Sequence, residues 1–315
     1  MGRVCAPAAA AAITFLVTLS CCFAHGDPRP VASPWWMQWT LPPAVLLCLS
    51  AISCAYLVGW KRTKSRSQAK MGLGRLRPLL FATSILFLFL ALTSPIDALS
   101  DRLQSMHMVQ HTLLMMVAAP LFVLGAPAYI LILALPRSGR RAITSRVNGF
   151  TRILGPAWQK IRPLAAVALY ALTLWLWHLP AMYEAAMRNE VVHDIAHLSF
   201  FVSSCFLWWV VLHPFRHMRL DYGAGIAYLF VTSLHSCALG VLTALSPRIW
   251  YPSYTHSTME FGLTPIQDQQ IAGYIMWMPA GTSYILAAAY LFVLWIKRSA
   301  EEGAKRRSRR MIPTR

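Results

Sequence analysis

The sequence predicts an all-α polytopic membrane protein with seven transmembrane helices. The chain has 315 residues, of which 57% are hydrophobic and only 13% are charged. A soluble domain usually carries about 25% charged residues. Apolar runs long enough to cross a hydrocarbon core of about 30 Å lie at 41–60, 78–96, 106–134, 163–180, 191–213, 223–246 and 269–296.

The first 24 residues form a further apolar stretch that is typical of a secretory signal peptide. Arg3 precedes an Ala-rich core, and Ala24 supplies a small residue before a polar segment. Cleavage after Ala24 would start the mature chain at His25; an uncleaved anchor is the second interpretation. The predicted division is therefore signal peptide 1–24, external segment 25–40, seven-helix membrane domain 41–298 and basic cytoplasmic tail 299–315.

The third run, at 106–134, is longer than one span requires. It is expected either to tilt or to extend above the bilayer. Pro120, Gly125 and Pro127 could bend it, because proline and glycine interrupt helices.

The basic residues alternate between the loops and predict the orientation of the chain. The net charge is +18, and 24 of the 29 Lys and Arg residues fall in four segments, 61–77, 137–162, 214–222 and the tail from Lys297. Cytoplasmic loops carry such an excess, so the N-terminus is expected outside and the C-terminus in the cytoplasm. The same pattern favours contact with anionic lipid and argues against nucleic acid as a partner.

Two pairs of histidines are the candidate functional residues. His107 and His111 open the third span, and His193 and His197 open the fifth, so all four are expected at the outer side. Residues i and i+4 share a helix face, so each pair can chelate an ion through two nitrogens. The four histidines are expected to form one metal site.

Two single histidines are reserve ligands, and two acids are candidate supporting groups. His178 lies at the outer end of the fourth span and His235 near the middle of the sixth. A lone histidine in such a place is more often an anchor or a packed core residue than a ligand. Asp194 or Glu260 could orient an imidazole and fix its tautomer.

The residues around the histidines favour copper over other metals. Imidazole binds zinc, copper, iron and nickel, whereas thioethers select Cu(I). Met106 and Met108 flank His107, and Met115 and Met116 follow further along the same span. Methionines in membrane helices usually serve packing, so this pattern only tilts the choice towards Cu(I).

Three sequence blocks resemble a known family. MHMVQHTLLMMVAAPLFVLGAP, LWLWHLPAMYEAAMRNEVVHDIAHLSFF and LSPRIWYPSY…GLTPIQDQQIAGYIMWMPAG are similar to the multi-span CtaG-like cytochrome c oxidase assembly factors, over about residues 35–298. The resemblance matches the two histidine pairs, His178 and the block Gln267–Gln270. It implies a non-catalytic role in a bacterial inner membrane: delivery of copper, received from a periplasmic donor, to the catalytic subunit of a haem–copper oxidase.

Other functions remain open on the sequence alone. A membrane oxygenase or desaturase also uses HxxxH pairs, but typically with more histidines and an HxxHH motif. HDIAH is similar to the zinc-protease motif HExxH, although Asp reaches bound water poorly. A bis-histidine haem protein would also use these histidines, and a cation transporter could use Asp97, Glu260 and Asp268.

Overall fold

The computed structural model describes residues 34–62, 74, 76–213 and 219–310. In these ranges it contains helices and no strands. Six helices are long and apolar enough to cross a membrane, or seven if one bent helix pair counts as a single span. The predicted all-α, multi-span fold class is therefore confirmed. The proposed signal peptide at 1–24 and His25 lie outside the described residues.

The helices follow one another with short connections. In chain order they are α1 (Pro43–Arg62), α2 (Leu76–Thr93), α3 (Pro95–Ser100), α4 (Gln104–Thr112), α5 (Ala119–Leu124), α6 (Pro127–Ala134), α7 (Arg137–Trp177), α8 (Pro180–Arg188), α9 (Glu190–Leu212), α10 (Tyr222–Leu245) and α11 (Pro265–Arg310). A π-helical segment, Leu113–Ala118, joins α4 to α5 in one continuous span. Two short 3-10 helices, Pro252–Tyr254 and Thr258–Phe261, shape the loop between α10 and α11.

The spans that carry the histidine pairs lie in the interior of the bundle. Of the candidate spans, Gln104–Leu124 and Glu190–Leu212 are the most buried. Helix α9 packs along α7, the π-helical segment and α5, while α11 packs against α10 and α4. Large apolar side chains on the bundle surface stay exposed, such as Leu164 at 72% and Phe230 at 67%, as expected for a surface that contacts lipid.

The predicted span at 163–180 is part of a much longer helix. Helix α7 has 41 residues and measures about 60 Å at 1.5 Å per residue, so it extends well beyond one bilayer thickness. It ends at Trp177, and after a break of two residues α8 continues at 72° to its apolar part. Pro180 at the start of α8 accounts for the break, because proline cannot continue the preceding helix.

The long third run is broken, as its glycine and prolines predicted, but at one defined place. Ala126 adopts a left-handed conformation (φ 55°) between α5 and α6. Buried side chains from other spans satisfy the carbonyl groups that the break leaves free: Arg77 Nη1 donates to Leu124 O (2.6 Å) and Tyr56 Oη donates to Gly125 O (2.9 Å). Arg77 lies in a segment predicted as a basic loop, but its side chain is buried and caps a helix end.

Pro120 acts differently from the expected bend. It has no N–H to offer Met115 O in the i→i+5 pattern of a π-helix. The indole Nε1 of Trp208 in α9 donates to this carbonyl instead, at 3.0 Å. Ser84 Oγ similarly donates to Ala118 O at 2.8 Å. Neighbouring helices therefore hold the π-helical segment, which begins two residues after His111, the second histidine of α4.

Candidate metal centre

Five histidines from three helices meet at one end of the bundle. The first turns of α4 and α9 each carry one i,i+4 pair, and the fifth histidine directly follows the last residue of α7. We call this group the histidine cluster; it consists of His107, His111, His178, His193 and His197. His193 is half-buried, whereas the other four are between 3% and 7% exposed.

The i,i+4 pair on α4 faces the i,i+4 pair on α9. The ring centroids of His107 and His193 are 5.2 Å apart, as are those of His111 and His197. His107, His111 and His197 can each present one ring nitrogen so that all three nitrogens lie within 4.8 Å of one another. Two nitrogens bound to one ion at about 2.1 Å lie at most about 4.2 Å apart, so small side-chain rotations would suffice for shared coordination.

Tyr254, from the loop between α10 and α11, holds His107 from outside the cluster. Its hydroxyl donates to Ser100 O at 3.1 Å and lies 3.2 Å from His107 Nδ1 and 3.0 Å from Tyr183 Oη. Because Ser100 O can only accept, the Tyr254 oxygen is left to accept from Nδ1–H of His107 and from the Tyr183 hydroxyl. This arrangement favours the tautomer in which Nε2 of His107 carries the lone pair.

Burial keeps the Tyr254 hydroxyl protonated. Removal from water raises its pKa well above the ordinary value of a tyrosine, and the nearby Asp101 and Asp268 raise it further. The phenol therefore remains a hydrogen-bond donor throughout the neutral range.

His178 is oriented by its own helix. Its Nδ1 lies 2.7 Å from Leu174 O, so Nδ1 carries the proton and donates. Nε2 of His178 is buried without a hydrogen-bond partner, as are both ring nitrogens of His111 and Nε2 of His197. Leaving a buried polar atom unsatisfied costs about 1–3 kcal/mol, so this concentration of free imidazole nitrogens suits a bound ion.

The block Gln267–Gln270 positions the cluster without entering it. Both carboxylate oxygens of Asp268 accept from the first backbone N–H groups of α4, those of Gln104 (2.6 Å) and Ser105 (3.1 Å). A carboxylate at a helix N-terminus is favourable for both hydrogen bonding and the helix dipole. Gln269 holds the loop between α10 and α11 through Arg248 O and Trp250 N. The start of α11 thereby fixes the start of α4.

Two residues that were not expected from the sequence support the cluster. Of the two expected carboxylates, Glu260 forms an ion pair with Arg102 at 3.1 Å instead. The role expected of Asp194, which is exposed, stays a prediction. Tyr254 and Asp268 take the supporting roles. Both fall in the third block of the family resemblance, and this block was the feature of the sequence that could have pointed to them.

His235 does not join the other five. Its ring contacts Tyr170, with centroids 5.8 Å apart. Tyr170 precedes His178 by eight residues, or about 12 Å along α7, so His235 lies deeper in the bundle. Cys237, two residues after His235 in the sequence, contacts Trp277 O and Ser233 rather than a histidine.

The model of the cytochrome c oxidase caa3 assembly factor family (Caa3_CtaG) matches residues 54–298. The chain belongs to this family. The matched segment begins later than the expected residue 35, but it contains the complete histidine cluster, Tyr254 and Asp268. No curated protein and no solved structure matches the chain.

Membership of the caa3 assembly factor family supports a role in oxidase assembly. The matched range contains most of the helices that are long enough to span a membrane. The family description names the assembly of an oxidase and no reaction.

Proposed function

We propose that this assembly factor binds copper, as Cu(I), at the histidine cluster and delivers it to the catalytic subunit of a haem–copper oxidase in the same membrane. The observation that carries the proposal is the convergence of two facing i,i+4 pairs and His178. Buried ring nitrogens of three of these residues have no hydrogen-bond partner: both of His111, and Nε2 of His178 and of His197. The role is that of a carrier, and copper is cargo rather than a resident cofactor.

The chemistry of the cluster fits this cargo. Imidazole is a good ligand for copper, and neutral imidazoles bind the ion without the charge of thiolates. Two hydrogen bonds orient the rings, as supporting groups orient metal ligands. His107 bonds with Tyr254, and His178 bonds with Leu174 O. Such a set can hold copper and still yield it by ligand exchange to the histidines of an oxidase.

The expected setting is a bacterial inner membrane with the cluster facing the periplasm. The Lys and Arg distribution supports an external N-terminus and a cytoplasmic C-terminus. His193, the half-buried member of the cluster, is then the entry point for copper from a periplasmic donor.

Metal analysis of purified protein tests the shared site. The wild type is compared with His107→Ala/His111→Ala and with His193→Ala/His197→Ala, and His213→Ala serves as the control because His213 packs against Trp209 at the opposite end of α9. Because one pair alone leaves the ion under-coordinated, either double variant should lose the copper that is bound by nitrogen ligands alone. Retention of half of this nitrogen-bound copper by each variant would indicate that the two pairs bind independently.

A deletion strain tests delivery. Loss of the gene should lower oxidase activity and oxidase-bound copper while the oxidase transcript persists, and added copper should partly restore activity. Wild-type protein and the His213→Ala control should complement the deletion, whereas His107→Ala/His111→Ala should not. Normal oxidase copper in the deletion strain would contradict the delivery role.

A further inference from the structure

We propose a second Cu(I) site, formed by a methionine-lined cavity on the side of the histidine cluster that faces the middle of the bundle. This inference rests on the proposed function, because the histidine cluster is the source of its copper. We call it the methionine cavity; the methionines that line it and would supply sulfur ligands are Met108, Met115, Met116 and Met276. His111 and His178 line the same cavity and supply nitrogen ligands.

The position of His111 connects the two sites. A separate cavity is lined by His107, His111 and His193, so His111 borders both cavities. Its side chain is 6% exposed, and both of its ring nitrogens lack a hydrogen-bond partner. A neutral imidazole binds a metal through its one unprotonated nitrogen, and no hydrogen bond fixes which nitrogen of His111 that is. His111 can therefore serve as a ligand for either cavity, according to its tautomer.

The π-helical segment explains how the methionines reach this position. Met115 and Met116 both belong to it, and both line the cavity. A π-helical turn is wider than an α-helical one, and such turns are frequent at functional sites. The Trp208 hydrogen bond to Met115 O holds the segment in this form. Met276 completes the cavity from α11.

Ordinary packing does not account for the whole arrangement. Methionine often fills irregular gaps in a core, but gap filling leaves the buried nitrogens of His111 and His178 unsatisfied. Thioethers together with imidazole select Cu(I) over zinc and other divalent ions. The methionine cavity therefore gives the carrier its preference for Cu(I), which histidines alone do not provide.

Anaerobic Cu(I) titration and X-ray absorption of the full-length protein in detergent test the site. The cavity variant is Met115→Leu/Met276→Leu, because leucine conserves the side-chain volume and such swaps are well tolerated in a core. The matched control is Met259→Leu/Met278→Leu, since both of these methionines are 63% exposed. Zn(II) affinity, which depends on imidazoles, reports whether each variant keeps its histidine cluster.

Wild type and control should show sulfur in the copper coordination shell. The cavity variant, which keeps Met108 and Met116, should show fewer sulfur ligands than the wild type. Its Cu(I) affinity should fall about tenfold or more because soft ligands are lost, with Zn(II) affinity unchanged. Copper bound by nitrogen or oxygen alone in the wild type would overturn the methionine site and leave the histidine carrier intact. An unchanged number of sulfur ligands in the cavity variant would overturn it as well.

The same measurements separate this inference from the proposed function. If His193→Ala/His197→Ala keeps full Cu(I) affinity and a sulfur-containing shell, the methionine site stands and capture by the histidine cluster fails. If the wild type binds no Cu(I), both proposals are wrong.

Discussion

At the scale of single residues, the cluster depends on side chains that do not belong to it. Tyr254 accepts from His107 and Tyr183 while donating to Ser100 O. Tyr183 also stacks on Tyr251 at 3.9 Å between ring centroids, and Tyr251 donates to the backbone oxygen of His178. Two tyrosines of one loop thus fix both His107 and the helix end that carries His178.

Tyr254→Phe should weaken copper binding without removing a ligand. The variant loses the hydroxyl that orients His107, and loss of such a supporting group typically costs about 10–100-fold in metal affinity. Competition titration with a chromophoric Cu(I) chelator measures the change. Tyr290→Phe is the control, because Tyr290 is 59% exposed. Equal affinities for the two variants would show that the hydroxyl does not tune the site.

At the scale of elements, the close contact between α1 and α6 depends on a glycine. A Cβ added at Gly59 would overlap the backbone oxygen of Ile130. Arg62, one turn later, donates to the terminal carbonyl of α6 at Ala134. Helix α6 therefore rests on α1 because position 59 has no side chain and position 62 supplies a cap.

Gly59→Ala should destabilise the protein, since the backbone of α6 cannot move aside as a side chain can. The cost of such overpacking is about 1–3 kcal/mol. Thermal unfolding in detergent should show a lower midpoint for this variant. Gly223→Ala is the matched control, because its Cβ would meet only Trp295 at 3.7 Å and alanine is the better helix former by about 1 kcal/mol. An unchanged midpoint for Gly59→Ala would contradict the contact.

At the scale of the whole molecule, orientation decides whether the cluster can meet an external donor. Ser145 is exposed on α7 in the basic region, and Met259 is 63% exposed in the loop that carries Tyr254. The Lys and Arg distribution predicts that these positions lie on opposite sides of the membrane.

Labelling of intact cells with an impermeant thiol reagent checks this topology. Ser145→Cys should react only after the membrane is permeabilised, and Met259→Cys should react in intact cells. The native cysteines are first replaced, because Cys54 is exposed as well. External labelling at residue 145 would reverse the orientation and place the histidine cluster in the cytoplasm.

The sequence by itself determined the class of the molecule and most of its spans. Hydropathy, helical spacing and loop charge are local quantities, so the seven runs, the two i,i+4 pairs and the expected orientation follow from neighbouring residues alone. The break near Gly125 was predictable for the same reason. The length of α7 and the π-helical form of Leu113–Ala118 were not.

The tertiary structure decided which residues share a site. It brings His178 to the two pairs, places His235 deeper against Tyr170, and brings Met276 and Met115 to the same cavity. It also aims Tyr254 at His107 and Asp268 at the start of α4. These partners are separated by tens to more than a hundred residues, and their meeting depends on how helix faces rotate and pack against one another, which local spacing does not specify.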